Sequence, residues 1–218
     1  RRRGAGIPER SVSALAIRSA REEQMDSADL DAQTYAAILD DLARVNAVTM
    51  AARPTLRFLE SLVRRGDRLR LLDVGFGQGD MLRRIARWGA RCGVVCDLVG
   101  IDLNPRSEAV ARARTPSDLP IAYRTGDYAD LAGEGWDAIV SSLVAHHMTG
   151  PQLQYFLRFM DGEARRGWFV NDLHRHAIPH RGYPLLARLF GWHRIVREDG
   201  TLSIARAFRP PEWETILR

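Results

Sequence analysis

Three glycines stand at every second position after a mostly aliphatic run in this sequence, namely Gly75, Gly77 and Gly79. The run before them, residues 70–74, contains Asp73 and otherwise has the non-alternating pattern of a strand that is covered on both faces of a parallel sheet. Glycine lacks a Cβ atom, so the backbone can turn tightly after this strand and a ligand can approach it closely. A helix that starts after the turn would aim its free N–H groups into the same space. The stretch therefore predicts a binding site for an adenosine-type cofactor.

The acidic residues around the glycines separate two classes of cofactor. A dinucleotide fingerprint has a glycine at its sixth position, where this chain has Asp80. Asp73 would also place a carboxylate next to a diphosphate, which it would repel. The same carboxylate would attract the sulfonium and ammonium groups of S-adenosylmethionine. The pattern favours S-adenosylmethionine, and an NAD(P)-dependent oxidoreductase is the alternative enzyme class.

The order aliphatic, Asp, x, Gly, x, Gly, x, Gly in residues 71–79 resembles motif I of the class I S-adenosylmethionine-dependent methyltransferases. The resemblance extends over about residues 70–175 and implies a Rossmann-like fold. It implies that Asp102, at the end of the second predicted strand, binds both ribose hydroxyls and that Leu103 packs beside the adenine. The chain would then be an enzyme, with a non-catalytic cofactor-binding regulatory protein as a further alternative.

Further cofactor contacts follow from the same resemblance. Gly126-Asp127-Tyr128 is similar to the segment that binds the adenine, which implies that Asp127 accepts a hydrogen bond from the exocyclic amine and that Tyr128 lies beside the ring. Ser142, at the end of the fourth predicted strand, is expected at the cofactor. Arg44, on the polar side of a helix before the first strand, could reach the cofactor carboxylate, although such arginines are more often solvated.

The segment after the fourth strand indicates the class of acceptor. It lacks the Asn/Asp-Pro-Pro-aromatic tetrad expected of enzymes that methylate amino groups of nucleic-acid bases. Ser141-Ser142 followed by a histidine pair instead looks like the methyltransferases of quinone biosynthesis and polyketide tailoring. The resemblance implies methyl transfer to an oxygen, or alternatively a carbon, of an aromatic or polyketide-like small molecule.

The histidines supply candidates for a general base. His146 and His147 follow the fourth predicted strand and His174 follows the fifth, so these residues should meet at the carboxyl edge of the sheet. A neutral imidazole can accept a proton near pH 7. His147 or His146 is the first candidate and His174 the second, and all three could instead only line the pocket. A metal held by histidines 174, 176 and 180 with Asp172, or by the 146/147 pair, lacks a supporting pattern, so no metal is predicted.

The order of strand and helix patterns together with the family resemblance implies an α/β, Rossmann-like doubly wound sheet in strand order 3-2-1-4-5, preceded by extra helices. Residues 1–30 are expected to form a flexible arm, residues 31–66 an N-terminal helical lid, and residues 67–218 the methyltransferase domain with a helical insertion at about 177–200. Residues 201–208 are predicted as a short extended piece. The last two strands of the usual seven-stranded family sheet are expected to be missing.

Composition limits the partners. The formal net charge is +5, yet all 32 basic residues are arginine and they are spread along the chain, so nucleic-acid binding is not expected. Cys92 and Cys96 form no disulfide framework, which favours a reducing compartment. No apolar run is long enough to span a membrane. We expect a soluble cytoplasmic protein with a small-molecule acceptor, whose oligomeric state the sequence does not determine.

Overall fold

A computed structural model describes residues 15–218 of the protein. Its centre is one parallel sheet of five strands, with bounds β1 Arg68–Val74, β2 Val95–Asp102, β3 Ile121–Thr125, β4 Ala138–Ser142 and β5 Gly167–Asn171. The strand order is β3-β2-β1-β4-β5, which confirms the predicted topology. All strands run in the same direction, so their carboxyl ends lie at one edge of the sheet.

Helices cover both faces of the sheet. Their bounds are α1 Ala32–Val48, α2 Ala52–Leu62, α3 Asp80–Cys92, α4 Pro105–Arg114, α5 Gly150–Glu163, α6 Ala177–Leu189, α7 Arg194–Arg206 and α8 Pro210–Ile216. Successive side chains of β1 point to opposite faces, so Leu71 packs in the core with α2, α3 and α4, whereas Leu72 packs in the core with α5. The sheet is therefore doubly wound, as the non-alternating strands predicted.

A third apolar cluster joins the helices outside the sheet. Ile38 of α1 packs with Ala187 of α6 and with Ile195 and Val196 of α7. The pair α6–α7 occupies the region predicted as a helical insertion. Within residues 31–66, predicted as a lid, α1 packs against the segment that follows β5, whereas α2 belongs to the core of the sheet through Leu59.

The structure contradicts the extended piece predicted for residues 201–208, because α7 continues to Arg206. The buried residues of this helix include Ile195, Asp199 and Ser203, which recur at helical spacing. Gly200 lies inside this helix although glycine lowers helix propensity. A Cβ atom at Gly200 would overlap the ring of Tyr183, and the glycine thus serves the close approach of α6 and α7.

The described part of the predicted arm, residues 15–30, packs on α7. The Ser19 N–H donates to the Ala205 carbonyl at 3.0 Å, and a short 3-10 helix, Gln24–Asp26, is tied to Asp199 through two backbone N–H groups. Residues 1–14 of the arm lie outside the described residues. Among residues 15–218, no helix combines the length and the apolar character needed to cross a membrane.

Candidate functional site

The glycine turn follows β1 directly, and each of its glycines has a positive φ, namely +79° at Gly75, +54° at Gly77 and +75° at Gly79. An added Cβ atom would overlap Val144 at Gly75 and the Tyr123 hydroxyl at Gly79, so packing alone requires these two glycines. At Gly77 the nearest atom would be Leu39 Cδ2 at 3.7 Å. Among the three glycines of the turn, Gly77 is therefore the one at which an added Cβ atom would meet its neighbour, the Leu39 side chain, at an ordinary contact distance.

Asp102 lies beside this turn at the carboxyl end of β2, as predicted. Its Oδ2 accepts a hydrogen bond from the Gly77 N–H at 2.8 Å, and its Oδ1 accepts from the Asn104 N–H at 2.9 Å. Burial raises the pKa of Asp102 above its usual value, although both backbone hydrogen bonds oppose the rise. A carboxylate has about four lone-pair positions, so Asp102 keeps capacity for further donors.

Asp73 is the most buried acidic group of the site, with 1 % of its surface exposed. Within the described residues, its Oδ2 has no hydrogen-bond partner. Burial raises the pKa of Asp73 to about 8, and the neighbouring charges of Asp80 and Asp102 add to the rise. Three acidic groups thus lie around the turn, and a cationic ligand would favour their ionised forms whereas a diphosphate would oppose them.

The other predicted cofactor residues lie at the ends of β2, β3 and β4. The Leu103 side chain is 73 % exposed. The Asp127 carboxylate accepts from the Ala129 N–H at 2.9 Å and caps a short 3-10 helix, while the Tyr128 ring packs on Phe156 with centroids 4.9 Å apart. Leu103 and Asp127 are both accessible at the carboxyl edge of the sheet.

Ser142 and Arg44 differ in their surroundings. The Ser142 Oγ is buried at the end of β4 and, within the described residues, has no hydrogen-bond partner. The side chain of Arg44 is 70 % exposed, and its Nη1 donates to Asp41 of the same helix at 2.8 Å. The structure thus places Ser142 at the carboxyl edge of the sheet and Arg44 in a surface ion pair on α1.

A cluster of histidines and carboxylates forms where β4 and β5 end. His146 lies in a short 3-10 helix, Ala145–His147, and its side chain is 3 % exposed. Its Nδ1 lies 2.6 Å from Asp172 Oδ1, and its Nε2 lies 3.6 Å from Glu23 Oε1. Burial lowers the pKa of His146, but the charges and hydrogen bonds of Asp172 and Glu23 outweigh it and raise the pKa to about 9.

His147 lies beside His146, with ring centroids 4.4 Å apart, and its side chain is 29 % exposed. Its Nε2 lies 3.7 Å from Glu23 Oε2, and its Nδ1 lies 3.2 Å from Asp26 Oδ2. Both histidines thus turn Nε2 towards one carboxylate, and each has a second carboxylate at Nδ1. His147 is the more accessible of the two.

Glu23 is the functional candidate that the sequence did not indicate. It belongs to a polar segment without periodicity, far from the histidines along the chain. In the structure it is buried and also accepts a hydrogen bond from Ser203 Oγ at 2.8 Å. Burial raises the pKa of Glu23, but the hydrogen bond to His146 and the charge of His147 outweigh it, so the net pKa lies below the usual value.

His174 lies outside this cluster. It is exposed, and its ring centroid is 5.5 Å from that of His176. Both rings line a cavity of about 280 Å³ that Arg175, Arg209 and Pro210 also line. The structure thus brings together two of the three histidines predicted as candidate bases and places the third at another cavity.

Comparison with known proteins places this site in context. Residues 71–162 match a family model described as a methyltransferase domain. A ubiquinone biosynthesis O-methyltransferase of Cereibacter sphaeroides is 41 % identical over 86 residues, which are 38 % of this chain and 32 % of the relative. A protein of the same name from Azorhizobium caulinodans is 34 % identical over 106 residues, 47 % of this chain and 36 % of the relative. The chain spans about a third of the length of these curated relatives.

Two solved structures share the fold. The methyltransferase domain of bacterial CtHen1-CN superposes with a TM-score of 0.52 at 18 % identity, over 75 % of this chain and 78 % of that one. An S-adenosylmethionine-dependent methyltransferase of Aquifex aeolicus gives a TM-score of 0.50 at 15 % identity, over 68 % and 76 % of the two chains. At these identities the likeness supports the fold.

Proposed function

Since the chain contains a class I S-adenosylmethionine-dependent methyltransferase domain, we propose that it binds S-adenosylmethionine at the glycine turn and methylates an oxygen of a small-molecule acceptor. The observation that carries the proposal is the buried Asp73 carboxyl group beside that turn, whose Oδ2 has no hydrogen-bond partner within the described residues. When bound, S-adenosylmethionine supplies an electrophilic methyl group on a cationic sulfur. A cation near Asp73 would favour the ionised carboxylate and so relieve the cost of its burial.

The residues around the turn fit the remaining parts of the cofactor. At Gly77 a ligand would have to displace the Leu39 side chain, and Asp102 has lone pairs left for two ribose hydroxyls. Leu103 offers an exposed apolar surface for the adenine, and Asp127 can accept a hydrogen bond from its amine. Tyr128 would limit the far side of the adenine site.

Ser142 and Arg44 are assigned to the amino-acid end of the cofactor. The Ser142 hydroxyl lacks a partner within the described residues, so it can donate to or accept from a polar ligand group. Arg44 can reach a cofactor carboxylate only if its guanidinium leaves Asp41, an exposed ion pair of the kind that costs little to break.

The acceptor is assigned to the side of the histidine cluster. The imidazole of His147 is the accessible one, so we assign His147 as the base that accepts the proton of the acceptor hydroxyl. The imidazole of His146 is buried between Asp172 and Glu23. Loss of that proton leaves an oxygen nucleophile, and a base of this kind contributes about 10²- to 10⁴-fold in rate. His174 receives no role because it lines another cavity.

The names of the curated relatives support oxygen as the acceptor atom. Each matched relative is called an O-methyltransferase of ubiquinone biosynthesis. An aromatic or polyketide-like hydroxyl compound is therefore the acceptor class proposed here, with carbon methylation as the alternative. A phenolic hydroxyl suits the site because it can lose its proton to an imidazole close to neutral pH.

Two assays test the proposal. Calorimetry should show binding of S-adenosylmethionine and no binding of NAD⁺. Labelled methyl transfer should occur to a panel of phenols and fail with the corresponding methyl ethers, which lack the hydroxyl. Transfer to both sets would indicate a carbon acceptor, and binding without transfer to any acceptor would favour a regulatory protein.

A further inference from the structure

We propose that Nε2 of His146, Nε2 of His147 and the carboxylate of Glu23 form a binding site for one divalent transition-metal ion of the zinc class. The three ligand atoms lie within 4.8 Å of one another, and the two histidine nitrogens lie 3.6 and 3.7 Å from the Glu23 oxygens. Ligand atoms at about 2.0–2.2 Å from a tetrahedral zinc ion are roughly 3.3–3.5 Å apart. Small side-chain shifts would therefore complete the site.

The carboxylates behind the two imidazoles support a metal. Asp172 lies 2.6 Å from Nδ1 of His146, and Asp26 lies 3.2 Å from Nδ1 of His147. In the neutral imidazole, a carboxylate at Nδ1 favours the tautomer that carries its hydrogen there, so that a metal ion which displaces the Nε2 proton would find a lone pair on the side of Glu23. Metal-binding histidines almost always have such a partner on the other nitrogen.

The charges of the cluster also call for a cation. An Nε2 lone pair that faces a carboxylate is repelled unless a proton or a metal ion lies between them. Glu23 and Asp172 are almost fully buried, and one guanidinium, that of Arg206, lies 3.9 Å from Glu23. Arg18 and Arg206 donate instead to the carbonyl of His146. A divalent ion would balance the buried carboxylates with neutral imidazoles as ligands.

The sequence alone predicts no metal, because nothing in it brings Glu23 to the histidines. The site would fasten the arm to the loop after β4, since Glu23 lies in the arm and the histidines follow β4. Two histidines and one glutamate leave a fourth position for solvent, as in catalytic zinc sites. Coordination would lower the pKa of an acceptor hydroxyl at that position, so that its proton could pass to solvent water without His147 as the base, a consequence that rests on the proposed function.

Metal binding is measured on the full chain after treatment with a chelator. Co²⁺ added to the wild type should give tetrahedral absorption bands that saturate at one equivalent, and Zn²⁺ should abolish them. Glu23→Gln and His147→Gln should each weaken the affinity at least 10-fold, while His180→Gln, a histidine outside the cluster, should bind as the wild type does. Absence of binding, or equal binding by Glu23→Gln and His147→Gln, overturns the proposal.

A second readout excludes misfolding as the cause. Without metal, His147→Gln and Glu23→Gln should each give the same circular dichroism spectrum as the wild type, which shows that both variants fold. Zn²⁺ should slow tryptic cleavage after Arg21 in the wild type and leave the rate unchanged in Glu23→Gln. If the wild type binds one equivalent of Zn²⁺ but its rate of tryptic cleavage does not change, Glu23 is not a ligand of the metal. Loss of the metal site would not affect binding of S-adenosylmethionine at the glycine turn, so the two proposals fail separately.

Discussion

The Nδ1 of His146 lies 2.6 Å from Oδ1 of Asp172, so one buried hydrogen bond joins the loop after β4 to the end of β5. Both side chains are almost fully buried. A buried imidazole between carboxylates is stable as the cation, which is why the pKa of His146 rises to about 9. Through this pair, which lies at the edge of the sheet that holds the site, the stability of the metal-free protein should depend on pH.

The stability of the metal-free wild type should fall between pH 6.5 and pH 9. The pKa of His146 in the folded protein, about 9, lies above the roughly 6.5 of an unfolded histidine. A raised histidine pKa adds stability that is complete below pH 6.5 and is lost as the pH rises through 9. Asp172→Asn weakens this effect, so the wild type should lose of order 1–3 kcal/mol more than the variant over this range.

Urea denaturation at several pH values measures this difference. Asp97→Asn is the control, because Asp97 is exposed in an ion pair with Arg70 at 3.5 Å. This control should follow the wild-type curve. Parallel curves for the wild type and Asp172→Asn would contradict the coupling between His146 and Asp172.

The affinity for S-adenosylmethionine should depend on the ionisation of Asp73. The pKa of this group is about 8 without ligand, so a cation should bind better as the pH rises through that value. The ligand's own amino group titrates nearby, at about 7.7–8.0, so the wild type is compared with Asp73→Asn at each pH. Asp73→Asn should bind at least 10-fold more weakly at pH 8.5, as measured by calorimetry. Equal affinities would show that Asp73 does not face the cation.

Stability of the same variant separates lost binding from lost folding. A carboxyl group whose folded pKa of about 8 exceeds the unfolded value of about 3.9 lowers stability as the pH rises between the two. The ligand-free variant Asp73→Asn has no carboxyl group at this position and therefore does not lose stability in this way as the pH rises. It should therefore have a higher Tm than the wild type at pH 9, although it binds the cofactor poorly.

Two glycines with positive φ give a matched test of the turn. A Cβ atom at Gly77 meets only Leu39 at 3.7 Å, and one at Gly66, with φ +93°, meets nothing within 4 Å. Alanine at either position should cost about 1–2 kcal/mol of stability because of backbone strain. Only Gly77→Ala should also weaken S-adenosylmethionine binding, by 10-fold or more in calorimetry. Equal binding by the two variants would mean that no ligand approaches Gly77.

His147→Ala should lower kcat for a phenolic acceptor by about 10²-fold or more and change the KM for S-adenosylmethionine little. A base and a metal ligand predict the same loss, because both use Nε2. The two roles are separated in the wild type: removal of metal by a chelator should preserve activity if His147 is the base and abolish it if the metal activates the hydroxyl. His180→Ala should retain wild-type kcat, and a full kcat in His147→Ala would exclude both roles.

Much of the fold follows from local patterns. The strand that ends at Val74 and the glycine turn after it carry their own signals, because apolar runs and glycines act over a few residues. The strand order came instead from the resemblance to the methyltransferase family, and the structure confirms it. The last turns of α7, residues 201–206, were wrongly predicted as extended, because the packing of α7 against α6 at Gly200 and Tyr183 is a tertiary contact that no local pattern contains.

Part of the candidate site was also predictable from the sequence. Asp73 and Asp102 follow from their places at strand ends, and the structure sets both beside the turn. The partner of His146 and His147 could not be predicted, because Glu23 reaches them through tertiary packing of the arm on α7. The segment around Glu23 is polar and has no hydrophobic periodicity, so the sequence does not indicate that this carboxylate is buried.

The most direct test of the proposed cofactor site is a crystal structure of the full chain grown with S-adenosylhomocysteine. We expect the nucleoside at the glycine turn, with its ribose hydroxyls on Asp102 and its adenine against Leu103. The amino group should lie near Asp73. A turn that stays closed by Leu39 while the ligand binds elsewhere, or not at all, would contradict the proposed function.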